Sequence, residues 1–177
     1  SVLESRRFPV SELVPLASER SRGKKVKFHG TDVEVRVLGK DSFRGVELAL
    51  FSAGASISRE MAPVAVASGA VVVDNSSAFR MEPHIPLVVP EVNPEMIEEH
   101  LGIIANPNCS TIIALVPLWP LHRAAKLRRA VISTYQAVSG AGARALEELE
   151  LQTRDYLDGK PVAPKVFKRQ IAFNLFS

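Results

Sequence analysis

The residue with the most distinctive chemistry in this sequence is its single cysteine, Cys109. It lies in the run NPNCST at residues 106–111, between a short apolar stretch typical of a buried strand and an apolar stretch typical of a helix. At a helix start, unpaired backbone N–H groups and the positive end of the helix dipole favour a thiolate. A thiolate there can attack a carbonyl carbon while the same N–H groups stabilise the resulting oxyanion. The alternative is a cysteine with a purely structural role.

Basic residues form two candidate sites for an anion. Arg80 follows an apolar stretch that ends at Asp74, and a guanidinium suits bidentate binding of phosphate. The loop SERSRGKK at residues 18–25 follows the first strand candidate, where an Arg can accommodate a ribose 2′-phosphate. Taken alone, Arg80 fits better as a surface residue, and the loop also fits a solvated basic loop because Glu19 is acidic. Nucleic-acid binding would use this loop, but it contains no interleaved aromatic residue or recognised motif.

The composition excludes several classes of protein. Of the 177 residues, 46% are hydrophobic and 23% charged, which excludes a disordered, collagen-like or coiled-coil chain. The net charge of +3 is too small to compel nucleic-acid binding. One cysteine excludes an intrachain disulfide, and the sequence has no apolar run of transmembrane length. Its first residues lack an apolar core, so we expect no signal peptide. The four histidines lack ligand-like spacing, so we expect no metal site. Together these features predict a soluble protein of a reducing compartment.

The first part of the chain alternates apolar strands with helices. The predicted elements are a short strand at 12–17, a hairpin formed by 26–28 and 33–37, buried strands at 46–52, 70–74, 87–89 and 102–105, and a helix at 58–68 ended by Gly69. This alternation predicts an α/β fold with a doubly wound parallel sheet. Polar residues follow the carboxyl ends of these strands, where such sheets bind ligands.

The pattern changes after Cys109. We expect an apolar helix at 111–125 that is kinked or broken at Pro117 and Pro120, an alternating strand at 128–138 and an amphipathic helix at 143–157. The run GAGARA at 140–145 matches the dinucleotide fingerprint G-x-G-x-x-G/A. No second buried strand ending in an acidic residue follows it, so we do not expect a pyrophosphate site there.

Five motifs spread in order along the chain resemble aspartate-semialdehyde dehydrogenases. They are FSAG at 51–54, DNSSAFR at 74–80, VPEVNP at 89–94, NPNCST at 106–111 and TYQAVSGAG at 134–142. The related N-acetylglutamyl-phosphate reductases have Gly before the corresponding Cys and Tyr after it, and Asn108 and Ser110 argue against that family.

The resemblance implies a set of site residues. Cys109 is the implied nucleophile, and Gln136 the residue that orients the substrate by hydrogen bonds; Arg80 and Asn108 are the implied phosphate-binding residues. The implied cofactor is NADP, with its selecting residues in the basic loop and Ser139 and Gly140 at its nicotinamide end. The complete set of implied cofactor-binding residues is Ser18, Arg20, Ser21, Ser52, Gly54, Asn75, Ser76, Ser139 and Gly140.

The family also implies a reaction and an organisation. NADPH-dependent reductive dephosphorylation of L-aspartyl 4-phosphate would give L-aspartate 4-semialdehyde and phosphate through a Cys109 thioester, in a cytoplasmic homodimer that serves lysine, threonine and methionine synthesis. Residues 1–108 would form part of a Rossmann-like NADP-binding domain, and 109–177 the start of an α+β catalytic and dimerisation domain. The glycine-rich loop and the general acid/base His would lie outside these residues, so we expect the 177-residue chain alone to be inactive. The alternative is a non-catalytic paralogue that acts in binding or assembly.

Overall fold

The computed structural model describes residues 2–176, which form two compact units that meet in sequence between Val116 and Pro117. The strands are β1 (Leu16–Ala17), β2 (Lys25–Phe28), β3 (Thr31–Glu34), β4 (Arg36–Val37), β5 (Leu48–Phe51), β6 (Val71–Asp74) and β7 (Ile103–Ala105). The helices are α1 (Val2–Ser5), α2 (Ala55–Ala67), α3 (Cys109–Ala125) and α4 (Ala143–Leu157). Within this part of the chain, no helix has both the length and the apolar character needed to cross a membrane.

A parallel sheet of three strands, in the order β5-β6-β7, organises the first unit. Leu48 pairs with Val71 and Val72 with Ile103, so the three strands run side by side and end at one edge. Side chains from the sheet and from α2 form the buried core, in which Val72, Ala62 and Ala65 are fully buried. The predicted α/β fold with a parallel sheet is therefore confirmed.

The predicted hairpin is also present, but its second strand is shorter than expected. β2 pairs antiparallel with β3, with Phe28 opposite Thr31. The chain then leaves the hairpin, and β4 pairs parallel with β1 in a separate two-stranded sheet. The predicted strand at 12–17 is reduced to β1, because only the two residues of β4 lie beside it.

One face of β5 is more exposed than its apolar sequence suggests. Ala49 and Phe51 are buried, whereas Leu48 is 41% and Leu50 60% exposed. Both leucines line an open groove of about 1330 Å³, which is also lined by residues of β1 and β4. The prediction of a strand buried on both faces is wrong for β5, because no described element covers this face.

Two other expectations need a correction. The predicted strand at 87–89 is a single parallel bridge from Leu87 to Ala105, since its backbone follows the edge of β7 for only that residue pair. α3 begins at Cys109 and continues through Pro117 and Pro120, so the helix is not broken at either proline, and the kink predicted as the other outcome stays a prediction. By contrast, α2 ends just before Gly69 as predicted.

In the second unit, α4 matches its predicted bounds, whereas the predicted strand at 128–138 is wrong. Val131 and Tyr135 are 80% and 83% exposed, and within residues 2–176 no strand pairs with this segment. An extended segment needs a neighbouring strand to satisfy its backbone groups, and its alternating pattern alone does not supply one.

Buried polar side chains of α4 hold the segment that follows it. Glu148 accepts backbone N–H bonds from Lys165, at 3.1 Å, and from Val166. Gln152 donates to Glu148 Oε1 at 2.8 Å and accepts the backbone N–H groups of Ile171 and Ala172. These bonds fix an irregular segment that carries no periodic signal in the sequence.

The same bonds change the acidity of Glu148. Burial acts to raise the pKa of this carboxyl, but backbone N–H donors from Val166, Lys165 and Phe167, together with the Lys165 charge, outweigh burial and lower the pKa below its ordinary value of 4.5. A lowered folded-state pKa stabilises the fold above the ordinary value, and this stabilisation is lost as the pH falls through the folded-state value.

We therefore predict that Glu148→Gln weakens the attachment of residues 165–172 at neutral pH, and that its difference from wild type shrinks as the pH falls below 4.5. Hydrogen exchange of the Lys165 and Val166 amides, corrected for intrinsic rates, measures this attachment. The control is Glu147→Gln at the exposed neighbouring position. The prediction would be contradicted if the difference in amide protection between wild type and Glu148→Gln were the same at pH 7 and at pH 3.

Candidate active site

The carboxyl ends of β5, β6 and β7 bring three loops to one edge of the sheet. Asn75 N–H donates to the Phe51 carbonyl, and Asn106 N–H donates to the Asp74 carbonyl, both at 2.8 Å. The pairing of the strands therefore extends one residue beyond β6 and β7, and it fixes where each following loop begins. Most of the residues predicted for phosphate and cofactor binding follow these strand ends.

Cys109 lies at the end of one of these loops, as the first residue of α3, and it is exposed. Asn108 caps the helix: its Oδ1 accepts the Ser110 N–H at 2.9 Å, and its carbonyl accepts the Ile112 N–H at 3.0 Å. The Cys109 Sγ lies 4.0 Å from the same Oδ1. The predicted placement of the cysteine at a helix start is thus confirmed, at the end of the helix dipole that favours negative charge.

Arg80 reaches back from its loop to the same edge. Its Nε donates to the Asn106 carbonyl at 2.9 Å, and its Nη2 donates to the Asn75 carbonyl at 3.1 Å. The Asn106 side chain in turn donates to Asn75 Oδ1. The half-buried guanidinium is therefore bound to the ends of two strands, and one of its acceptors belongs to the loop that leads to Cys109. These two contacts use two of the five N–H donors of a guanidinium.

The turn after β6 contains residues whose roles the sequence analysis did not identify. Asp74 is fully buried and accepts hydrogen bonds from Ser58 Oγ and Ser76 Oγ, both at 2.7 Å. The Ser76 hydroxyl also accepts the Ala78 N–H at 3.0 Å, so this predicted cofactor-binding side chain already holds the turn together. An acidic residue that directly follows three valines was the available signal, since a carboxyl at the end of a buried strand needs donors.

The loop after β5 leaves space for a ligand. Ser52 is exposed, and Gly54 precedes the first residue of α2 with φ of +94°. A side chain at Gly54 would be strained at this angle, and its Cβ would meet no atom within 4 Å. The loop therefore presents open backbone at a helix N-terminus, a geometry that suits a phosphate-bearing cofactor.

The basic loop after β1 also fits such a cofactor. Residues Glu19–Ser21 form one short helical turn, with the Ser21 N–H bonded to the Ser18 carbonyl at 2.9 Å. The acidic Glu19 is paired with Arg22 at 2.9 Å. No described ion pair or hydrogen bond involves the exposed Arg20 side chain, so its charge can face an anion. This exposed ion pair offsets part of the Glu19 charge beside Arg20.

The remaining predicted residues lie in the second unit, around the short helical turn Val138–Ala141. Ser139, Gly140 and Gln136 are all exposed. A Cβ built on Gly140 would overlap Gln136 Nε2, so the Gln136 side chain rests against the glycine backbone. Glycine at this position therefore leaves the space that this orientation of Gln136 requires.

No group of three or more His, Cys, Asp or Glu side chains in the described part of the chain is arranged to hold a metal ion. The roles predicted for the individual site residues, and the predicted boundary between 108 and 109, remain predictions. Direct contacts join Arg80 to Asn75 and to Asn106, and Asn106 begins the loop that leads to Cys109.

Two family models and several proteins of known name match this chain in sequence. Residues 1–100 match the family model for the NAD binding domain of semialdehyde dehydrogenase, and residues 118–177 match its dimerisation domain. The chain is 57% identical over 178 residues to an aspartate-semialdehyde dehydrogenase of Aquifex aeolicus, covering 98% of this chain and 52% of the relative. A Synechocystis relative of the same name is 50% identical and covers 99% of this chain and 52% of its own length.

Solved structures agree with this assignment. Aspartate semialdehyde dehydrogenase II of Vibrio cholerae, complexed with ASA, superimposes with a TM-score of 0.86 at 50% identity and covers 98% of this chain and 52% of its own. The enzyme of Candida albicans, solved with NADP, has a TM-score of 0.57 at 28% identity and covers 69% of this chain and 42% of its own. The chain thus spans about half the length of the relatives it matches. The resemblance drawn from the five motifs is confirmed, and the chain belongs to the semialdehyde dehydrogenase family.

Proposed function

We propose that this chain forms part of an enzyme that converts L-aspartyl 4-phosphate to L-aspartate 4-semialdehyde and phosphate, reversibly and with NADPH as reductant. One observation carries the proposal: an exposed Cys109 begins α3 at the sheet edge where Arg80 is bound to the loop that leads to it. A nucleophile at the end of the loop to which a guanidinium is bonded suits an acyl phosphate substrate. The names of the relatives support the same substrate class.

Cys109 acts as the nucleophile in this proposal. Its thiolate attacks the carbonyl carbon of aspartyl phosphate, so a C–S bond forms and the C–O bond to phosphate breaks. The products of this step are an aspartyl thioester on Cys109 and inorganic phosphate. The positive N-terminal end of α3 stabilises the oxyanion of the tetrahedral intermediate that precedes the thioester. A thioester accepts hydride more readily than a carboxylate does, which favours a mechanism with a covalent step.

Arg80 and Asn108 bind the phosphate. The donors of Arg80 that are not bonded to Asn75 and Asn106 can pair with phosphate oxygens. Asn108 Oδ1 already accepts the Ser110 N–H as the helix cap, which leaves its Nδ2 group as the donor for a phosphate oxygen. The Arg80 guanidinium therefore compensates the charge of the leaving phosphate, and the Asn108 amide donates a hydrogen bond to it.

The cofactor in this proposal is NADP. When bound, it would supply the hydride that reduces the thioester carbonyl. The C–S bond to Cys109 then breaks, which releases the semialdehyde and regenerates the thiolate. Arg20, Ser18 and Ser21 would hold the ribose 2′-phosphate, and Ser52 and Gly54 would line the cofactor next to the start of α2. Asn75 contributes from the loop after β6, and Ser76, whose hydroxyl is bonded to Asp74 and to the Ala78 N–H, contributes by holding that loop in place. In this proposal Ser139 and Gly140 would contact the nicotinamide end, and Gln136, which rests against Gly140, would orient the substrate.

We also propose a cytoplasmic homodimer that acts in lysine, threonine and methionine synthesis. The match of residues 118–177 to a dimerisation domain supports a second copy of the chain as partner. Aspartate semialdehyde is a carbon skeleton that later steps can reduce or condense, which supports a biosynthetic role.

The proposal predicts that the full-length protein reduces NADP in a reaction that requires both aspartate semialdehyde and phosphate. Cys109→Ser should abolish nearly all turnover, because a hydroxyl at this position does not form the thioester, while NADPH binding stays intact. Initial rates at 340 nm and fluorescence titration with NADPH measure the two properties. An inactive wild type that still binds NADPH would instead favour a non-catalytic paralogue, and an active Cys109→Ser would exclude the covalent step.

A second prediction concerns the choice of cofactor. Arg20→Ala should raise the KM for NADPH roughly five- to 150-fold, the effect of one charged hydrogen bond, and should leave the KM for NADH nearly unchanged. Only NADPH carries the 2′-phosphate that the Arg20 charge meets. Lys24→Ala is the matched control, since it removes an exposed cation from the same loop. Equal effects of Arg20→Ala on both cofactors would disprove this role.

A further inference from the structure

A buried polar cluster lies beneath the loop that carries Arg80. Ser58 on α2 and Asp74 at the end of β6 are both 0% exposed, and Ser76 is 9% exposed. Asp74 Oδ1 accepts the Ser58 hydroxyl at 2.7 Å and the Ser76 N–H at 3.2 Å, and its Oδ2 accepts the Ser76 hydroxyl at 2.7 Å. Both oxygens of this side chain are thus held by donors from two different elements.

Burying this polar cluster costs free energy, which indicates that the cluster has a role in the geometry of the site. Burying a carboxyl is expensive, and none of the ion pairs among residues 2–176 involves Asp74. Valine occupies the three preceding positions of β6, so an apolar residue could end this strand at lower cost. Buried polar groups with every donor and acceptor paired fix a single conformation, and here the conformation concerned is that of the following loop.

The hydrogen bonds continue from Asp74 to Arg80. The Ser76 hydroxyl, which donates to Asp74, accepts the Ala78 N–H at 3.0 Å and closes the turn. Two residues later, Arg80 bonds to the carbonyls of Asn75 and Asn106. The direction of the guanidinium therefore depends on the turn, and the turn depends on the carboxyl of Asp74.

The loop has a second anchor that does not involve this cluster. Ala78 and Phe79 are 4% and 9% exposed and belong to the hydrophobic core. Their packing keeps the loop on the protein when one hydrogen bond is lost. Removal of the Ser58 hydroxyl should therefore change the geometry of the loop more than the stability of the fold.

We propose that Ser58 and Asp74 are positioning residues that hold Arg80 in its phosphate-binding orientation. Ser58 fixes the rotamer of Asp74, and Asp74 fixes the turn at 75–78. This inference deepens the proposed function and rests on the role proposed there for Arg80. Neither residue contacts the substrate in this account.

The test compares Ser58→Ala with Ser68→Ala in the full-length protein. Ser68 follows the same helix, and its exposed hydroxyl donates to the Val64 carbonyl at 2.9 Å, so both variants lose one serine hydroxyl bond. Ser58→Ala should raise the KM for phosphate about three- to tenfold, with a smaller change in kcat. Ser68→Ala should match wild type. An unchanged KM for phosphate in Ser58→Ala, with or without a fall in kcat, overturns the proposal.

A double-mutant comparison tests whether Ser58 acts through Arg80. In an Arg80→Lys background, which lacks the Nε and Nη2 donors that bond the two carbonyls, Ser58→Ala should cause no further rise in the KM for phosphate. Additive effects of the two substitutions would contradict the pathway from Ser58 to Arg80. Asp74→Asn changes the same cluster at a second position and should raise the KM for phosphate by a similar factor.

Calorimetric titration with inorganic phosphate separates this inference from the proposed function. If the wild type binds phosphate but shows no turnover, the proposed function fails, and a weaker phosphate affinity of Ser58→Ala still supports the positioning role. Equal affinity in wild type and Ser58→Ala overturns it. A wild type that binds no phosphate overturns both.

Discussion

The parallel register of β5, β6 and β7 is the constraint on which the candidate site depends. Because Phe51, Asp74 and Ala105 end the three strands side by side, the loops after them begin at one edge of the sheet. That edge brings the Arg80 guanidinium to the loop that leads to Cys109, although the two residues belong to different loops. A change in this register by one residue would move the polar loop starts into the core and the apolar side chains out of it.

Both units use buried polar side chains to fix irregular backbone. In the first unit, Asp74 holds the turn that leads to Arg80. In the second, Glu148 and Gln152 hold the segment at 165–172 by its backbone N–H groups. In each case a regular element supplies the acceptor and an irregular segment supplies the donors. In the first unit, the Arg80 side chain can then lie in a loop whose conformation is still defined.

The sequence predicted the elements that its local patterns specify. The runs of Val and Ile gave β6 and β7, the amphipathic run gave α4, and the NPNCST motif placed Cys109 at a helix start. The segment at 128–138 was mispredicted because a strand also requires a neighbour, which an alternating pattern does not reveal. The roles of Ser58 and Asp74 were missed for a related reason: their contact joins residues on separate elements, and only the tertiary structure brings them together.

The central claim is that Cys109 forms a covalent thioester, and single-turnover analysis without phosphate tests it most directly. With aspartate semialdehyde and NADP but no phosphate, the full-length protein should release NADPH in a burst of about one equivalent per active site and then stop. Mass spectrometry of the acid-quenched protein should find the aspartyl group on the peptide that contains Cys109. Absence of both the burst and the adduct, or an adduct on another residue, would contradict the account.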